Sequence, residues 1–445
     1  ESIITNAGHT VFDDYGGDRS AVLAPGNMVR TFIIRHCALA GDGQRTGVVQ
    51  NPGDLAVTAG RRAVSQGLFG GKRTYGGAAA MIYLDNAATS FHKPAAVKRA
   101  MLHAMACCAN PGRGGYEAAM AAVDTVFRCR EMAGKLFRCS PEQVLFTSNC
   151  THGLNMAIFT LVRPGSRVLI SGFEHNAVTR PLHALGAEVI PAGRRLFDWE
   201  DTLEQFERGL RSGVDAAVFT HVSNVFGYIL PVTEMAALCR KYHVPFAVDA
   251  AQSAGALPVD FTAWGADFVA MPGHKGLLGP QGTGLLLCAR LPKPLMYGGT
   301  GSQSILQEMP DFLPDGGEAG TLNVPGIAGL HAGMHYVDQV GSQTIAAREY
   351  RQTIRCVAGL KKLGFKVFSG PHQAGVVSFV APKDCQEAAD ILARQGIAVR
   401  AGLHCAPLAH RTAGTLDTGT VRVSFGHNAE ERQTDLFLQK ARLLN

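Results

Sequence analysis

Charge is sparse in this chain, long apolar runs are missing, and aromatic residues are few. Charged residues make up 18% of 445, the net charge is only +6, and no dense Lys/Arg run occurs. A nucleic-acid or membrane-surface partner is therefore not expected. No apolar stretch reaches the roughly 18 residues that a membrane span needs, and no charged segment leads into an apolar core at the N-terminus, so neither a membrane nor a secretory role is expected. The eleven cysteines are scattered. Apart from adjacent Cys107 and Cys108 they are isolated, with no CxxC pair and no zinc spacing. They read as reduced thiols of a cytoplasmic protein, mostly core filler with one reactive member, and no metal is expected.

What is present is enough chain for two or three domains and a large core. Residues 1–80 are glycine-rich and carry one candidate strand, Val29–Arg35, but no motif. An appended module, a disordered arm and an artefact of gene boundaries all stay open for them. Gly70–Ala80 reads as a linker. From Met81 the pattern turns to alternating strand and helix. Helices are expected over Pro94–Ala106, with Val97, Met101 and Met105 on one face, and over Tyr116–Phe137, carrying Ala119, Val123, Phe127 and Met132. A further helical period runs through Leu154, Ala157, Ile158, Leu161 and Val162. Strands are expected at Val144–Ser148, Arg167–Ser171, Ala187–Pro191, Ala216–Val222, Phe246–Ala250, Asp267–Met271 and Gly284–Cys288. Runs apolar throughout suit strands covered on both faces, so residues 81–330 read as an α/β domain with a mainly parallel sheet. Residues 331–445 read as a smaller α+β domain. It holds one long helix from His331 to Leu363, strands at Val376–Val380, Ile397–Arg400 and Thr420–Phe425, and helices Gln386–Gln395 and Ala429–Leu444.

Five groups stand at the C-terminal ends of the expected parallel strands, the edge where open α/β sheets bind ligands. The turn Thr147–Asn155 enters a helix through small polar residues. It is a phosphate site or a simple N-cap. His175 follows a strand and could stack on a planar ring or be an idle loop residue. Asn224 could donate to a phenolate or a substrate carboxylate, or merely shape a turn. Asp249 interrupts a buried strand, which is costly unless a cation satisfies it. A protonated pyridine nitrogen would, and so would a structural ion pair. Gln252 lies within reach of a ring oxygen. Lys275, after the strand ending at Pro272-Gly273, is placed to lose its charge by desolvation and to form a Schiff base. Phosphate turn, imidazole, aspartate and lysine on one edge together describe a site for pyridoxal 5'-phosphate.

In order, Leu84-Asp-Asn-Ala-Ala-Thr89, Glu174-His175, Thr220-His-Val-Ser-Asn224, Val248-Asp-Ala-Ala-Gln252, Gly273-His-Lys275, Glu318-Ala-Gly-Thr-Leu-Asn323 and Arg400-Ala-Gly-Leu-His-Cys405 resemble the class V aminotransferase-fold enzymes. Within these, the cysteine desulfurases of the SufS-like and selenocysteine lyase branch look most similar. The resemblance, from Met81 onward, implies a PLP-dependent transferase of fold type I that is a homodimer. It implies that Lys275 holds the cofactor and moves the Cα proton, that His175 stacks on the ring, and that Asp249 and Gln252 bind its nitrogen and oxygen. Thr151 and His274 would bind the phosphate, and Thr321 that of the partner subunit. Asn224, Arg400 and Arg422 would hold the substrate carboxylate, for which arginine offers a bidentate fork. Two positions depart from the family: Pro272 stands where a serine ligand is common, and Cys150 where threonine is. Cys405, on a short loop among basic residues, would react as thiolate with the sulfur of L-cysteine or L-selenocysteine. A sulfur-acceptor protein would then take the persulfide. A lyase or aminotransferase with Cys405 as bystander, and a non-catalytic scaffold, are the competing readings.

Overall fold

The computed structural model describes residues 81–112 and 114–445; the Val29–Arg35 strand lies outside them. The elements of the larger part are β1 (Ile82–Tyr83), α1 (Ala95–Cys107), α2 (Glu117–Phe137), β2 (Val144–Thr147), α3 (Cys150–Leu161), β3 (Arg167–Ser171), α4 (Asn176–Ala184), β4 (Glu188–Ala192), α5 (Trp199–Arg211), β5 (Ala216–Thr220), α6 (Val232–Lys241), β6 (Phe246–Asp249), α7 (Phe261–Trp264), β7 (Phe268–Pro272), β8 (Gly284–Cys288) and α8 (Val324–Val340). Then come α9 (Ser342–Lys362), β9 (Lys366–Phe368), β10 (Val376–Val380), α10 (Cys385–Arg394), β11 (Ile397–Ala398), β12 (Arg400–Gly402), α11 (Pro407–Ala413), β13 (Thr420–Ser424) and α12 (Glu431–Ala441).

Seven strands form one sheet in the order β2-β8-β7-β6-β5-β3-β4. The run from β7 to β4 is parallel, and β8 runs against both of its neighbours. Side chains alternate across a strand, and here both faces are covered. Ala217 and Phe219 of β5 enter one core with Val269 and Met271 of β7. Ala216 and Val218 enter the other, with Phe268 and Ala270. Each large apolar side chain buried this way contributes roughly 1.5–3 kcal/mol. A four-stranded antiparallel sheet, β12-β13-β10-β9, follows. Phe379 and Val421 there pack on Leu360 of α9, Leu392 of α10 and Phe437 of α12. β1 pairs in parallel with β11, and Asp85 bridges to Ser424, so the first described strand belongs to this later part.

Several expectations need correction. The helix drawn from His331 to Leu363 is two, α8 and α9, separated at Gly341 with φ 83°. Glycine tolerates that left-handed backbone and so ends the helix. The strand Ile397–Arg400 divides between two sheets, Ile397 pairing with Ile82 and Arg400 with Arg422. On α2 the buried face is Ala119, Ala122, Val126, Cys129, Ala133 and Phe137, whereas Val123 and Phe127 are exposed. Met105 of α1 is likewise 68% exposed while Val97 is buried. Both helices are apolar on two sides, and periodicity does not say which side the chain itself covers.

Candidate active site

A single cavity is lined by Asn149, Cys150, Thr151, His175, Thr220, Asn224, Asp249, Gln252, Pro272, His274 and Lys275. The sheet explains the convergence. Thr220 and Asp249 are Cα partners in the last register pair of β5 and β6, and β7 delivers Lys275 just beyond its end.

Asp249 is 3% exposed. Its Oδ1 accepts from Ala251 N at 2.8 Å and from the Cys150 thiol at 3.5 Å. Among the described residues nothing bonds Oδ2, so this oxygen is free for a cationic donor. Burial pushes the Cys150 thiol well above its ordinary range, with Asp249 adding to the effect, so it stays a neutral donor. Burial lowers the pKa of Lys275, opposed by attraction to Asp249. A lysine so placed reaches its neutral, nucleophilic form more readily than one in water.

His175 is the N-cap of α4, and its Nδ1 accepts from Ala177 N at 3.0 Å. That bond assigns the proton of the neutral ring to Nε2. Burial holds His175 below the usual imidazole range. At α3, Asn149 caps by accepting from His152 N, while the N–H groups of Cys150 and Thr151 have no acceptor within the helix and, with the dipole, suit an anion. His274 is lowered to about 4 by burial first and by Lys275 next. Its Nδ1 lies 3.0 Å from Thr89 Oγ1. Gln252 donates to Ala87 O at 3.0 Å.

Asn224 uses its amide on the backbone, donating to His404 O at 2.7 Å. Asn176 N donates to Cys405 O at 2.7 Å. The loop of Cys405 is therefore fastened to two segments of the cavity wall. Cys405 itself is exposed, and it and His404 both have left-handed backbone, φ 57° and 49°. Arg422 is 1% exposed. Its Nη2 donates to Asp85 Oδ1 at 2.6 Å and its Nη1 to Asn224 O at 3.0 Å, while Nε has no partner. Arg400 lies beside it across the β12–β13 ladder. Thr321 does not reach this cavity. It lines a separate one with Arg130, Glu318 and Gly299.

Residues without an assigned role in the sequence complete the site. Glu174 is fully buried. Its Oε1 accepts from Ser171 Oγ and, at 2.9 Å, from Thr220 N, and Oε2 has no partner. Burial pushes this carboxyl up to about 8. Asp85 and His404 act through long-range contacts, so proximity in sequence carried no sign of them.

The model of the aminotransferase class-V family matches residues 82–437, and the chain belongs to that family. A probable cysteine desulfurase of Methanothermobacter thermautotrophicus is 32% identical over 381 residues, 79% of this chain and 92% of that protein. One from Pyrococcus abyssi is 30% identical over 383 residues, 80% of this chain and 92% of that protein. The solved apo structure of a cysteine desulfurase from Thermococcus onnurineus NA1 superposes with a TM-score of 0.76 at 29% identity, covering 82% of this chain and 94% of that one.

Proposed function

We propose that the chain is a pyridoxal-phosphate-dependent cysteine desulfurase that converts L-cysteine to L-alanine and leaves a persulfide on Cys405. The observation that carries it is the cavity that joins Lys275, Asp249 and His175 and whose wall holds the Cys405 loop. Pyridoxal phosphate fits these residues. Asp249 keeps Oδ2 free in a buried setting, Lys275 is desolvated beside it, and the α3 terminus offers unpaired N–H groups. When bound, this cofactor supplies an aldehyde and an electron-accepting ring that stabilises negative charge at the substrate Cα.

Lys275 would hold the cofactor and then take and return the proton at Cα. Asp249 Oδ2 would keep the pyridine nitrogen protonated, and His175 would stack on the ring with its Nε2–H. Gln252 would face the ring oxygen. Cys150 and Thr151, with His274, would hold the phosphate. Thr321 would reach the phosphate of a second copy. Arg422, Arg400 and Asn224 would orient the substrate carboxylate. Cys405 Sγ, as thiolate, attacks the substrate sulfur: an S–S bond forms, the Cβ–S bond breaks, and Cβ takes a proton to complete alanine.

We place the large domain at residues 81–330, with its N-terminal segment shared with the small domain at 331–445; the pairing of β1 with β11 supports that sharing. A homodimer is supported by the exposed apolar residues Met105, Met120, Val123 and Phe127 of α1 and α2. No described helix is long and apolar enough to cross a membrane, and the ten described cysteines are unpaired, which accords with a cytoplasmic setting. A sulfur-acceptor protein would collect the persulfide from the exposed thiol.

Selenocysteine lyase activity is the second reading, because selenium leaves without thiol attack. Alanine release from L-cysteine and L-selenocysteine, wild type beside Cys405→Ala with reductant present, separates the two. Loss of cysteine turnover in the variant establishes the desulfurase; cysteine turnover that is unchanged, or missing from both while selenocysteine is cleaved, overturns it.

A further inference from the structure

We propose that Glu349 relays protons between solvent and the Lys275 side chain through a second cavity that adjoins the first. This rests on the reading of Lys275 as the base that moves the Cα proton. The two cavities share Ala251, Gln252 and Lys275. The second has a volume of about 50 Å³, and its mostly apolar walls include the polar side chains of Asn86, Ser90 and Gln252. A water needs roughly 10–15 Å³ and two or more polar partners, so the space is large enough for a few waters. A third, largely apolar cavity of about 290 Å³ shares Ala256, Glu349, Ala374 and Gly375 with it. Glu349, on α9, thus stands at the junction of a path that ends at Lys275.

The carboxyl of Glu349 is built into this junction without a partner. Among the described residues its side chain has no hydrogen bond and no ion pair; beyond the helix ladder, only its backbone carbonyl is used, by Thr353 Oγ1 at 3.0 Å. Gly375 makes room for it, since a Cβ there would lie 2.8 Å from Oε2. The titratable groups on the walls of the two outer cavities are Lys275, His427, Tyr350 and Glu349 itself. His427 is engaged, with Nε2 2.9 Å from His92 O and Nδ1 3.3 Å from Tyr336 OH, and Arg348 donates to its carbonyl at 3.4 Å. Burial pushes the Glu349 carboxyl up to about 8, so near neutral pH it holds a proton that it can exchange. In each relay step a proton leaves the Lys275 ammonium for the water path, Glu349 carboxylate takes it, and the acid returns it to solvent. No other bond changes.

The test uses the cofactor-loaded enzyme in deuterium oxide. Wild type is expected to release alanine with solvent deuterium at Cα, because the proton on Lys275 exchanges before it returns. Glu349→Gln is expected to raise retention of the substrate's own α-hydrogen at least fivefold, with KM unchanged. Gly375→Ala, which crowds the carboxyl, should move retention the same way. Washout equal to wild type in Glu349→Gln overturns the relay. If wild type releases no alanine from cysteine, the desulfurase reading is what fails, and α-hydrogen exchange of L-alanine, followed by NMR, decides the relay by the same comparison. A readout independent of turnover is the infrared difference between wild type and Glu349→Gln. It should contain a protonated-carboxyl band that disappears as pH rises through about 8, and the lack of such a band also overturns the proposal.

Discussion

Asn224 Nδ2 lies 2.7 Å from the carbonyl oxygen of His404, so a residue of the cavity wall carries the loop that presents Cys405. With Asn176 N bonded to Cys405 O at 2.7 Å, the loop has two anchors, one from the segment after β5 and one from the start of α4.

Replacing Asn224 with Ala removes one anchor. A hydrogen bond of this kind contributes about 1 kcal/mol, which in rate is roughly fivefold. The expected result is a kcat for alanine release lower by about fivefold to tenfold, with the visible absorbance of bound cofactor retained. Unchanged kcat would show that Cys405 is positioned by other contacts.

Arg422 and Asp85 form a 2.6 Å ion pair with side chains only 2% and 18% exposed. Breaking such a pair leaves a charge buried without its counter-ion. Asp85→Ala is expected to lower stability to urea by about 3 kcal/mol, while an exposed control such as Asp124→Ala changes little.

Glu174 makes stability depend on pH in a direction opposite to that of paired carboxylates. Its folded pKa, raised to about 8 by burial, exceeds the ordinary carboxyl value it regains on unfolding. Between those values the native state binds more protons than the unfolded one, so stability falls as pH rises. Its contribution is complete below about pH 4.5 and lost through about pH 8. Glu349 acts with the same sign. Urea unfolding at several pH values should show this decline in wild type and a shallower one in Glu174→Gln.

The exposed apolar side of α2 gives a test of assembly. Phe127 is 48% exposed and Met120 54% exposed, more than a solvated helix needs. Wild type is expected to sediment as the proposed homodimer and Phe127→Glu as a monomer, with circular dichroism unchanged; a monomeric wild type overturns the proposed assembly.

Much of this was legible in the sequence because strand ends are marked by composition. Asp249 and Lys275 stand out since a charged group rarely follows a run such as Phe246-Ala-Val or Phe268-Val-Ala-Met. The two cores of the large sheet follow from strands without polar alternation. What stayed hidden depends on contacts between distant residues. Asn224 lines the expected cavity, and its amide also reaches His404, 180 positions away, a contact that the sequence did not show. Phe127 and Val123 share a helical period with buried Ala119 yet stay exposed, because Ala122 and Val126 beside them take the buried face. Gly341 ends α8 through its backbone angle, and a lone glycine inside a helical pattern does not announce such a break.

The pairing of Ile82 with Ile397 sets a constraint on synthesis. Translation proceeds at roughly 5–20 residues per second, so the residues of β1 leave the ribosome some 15 to 60 seconds before their partner strand exists. For that interval Leu84, which ends 1% exposed, has no core to enter. The large sheet, whose strands are complete by Cys288, can assemble meanwhile, and the chain closes on its first described strand only after β11 has been made.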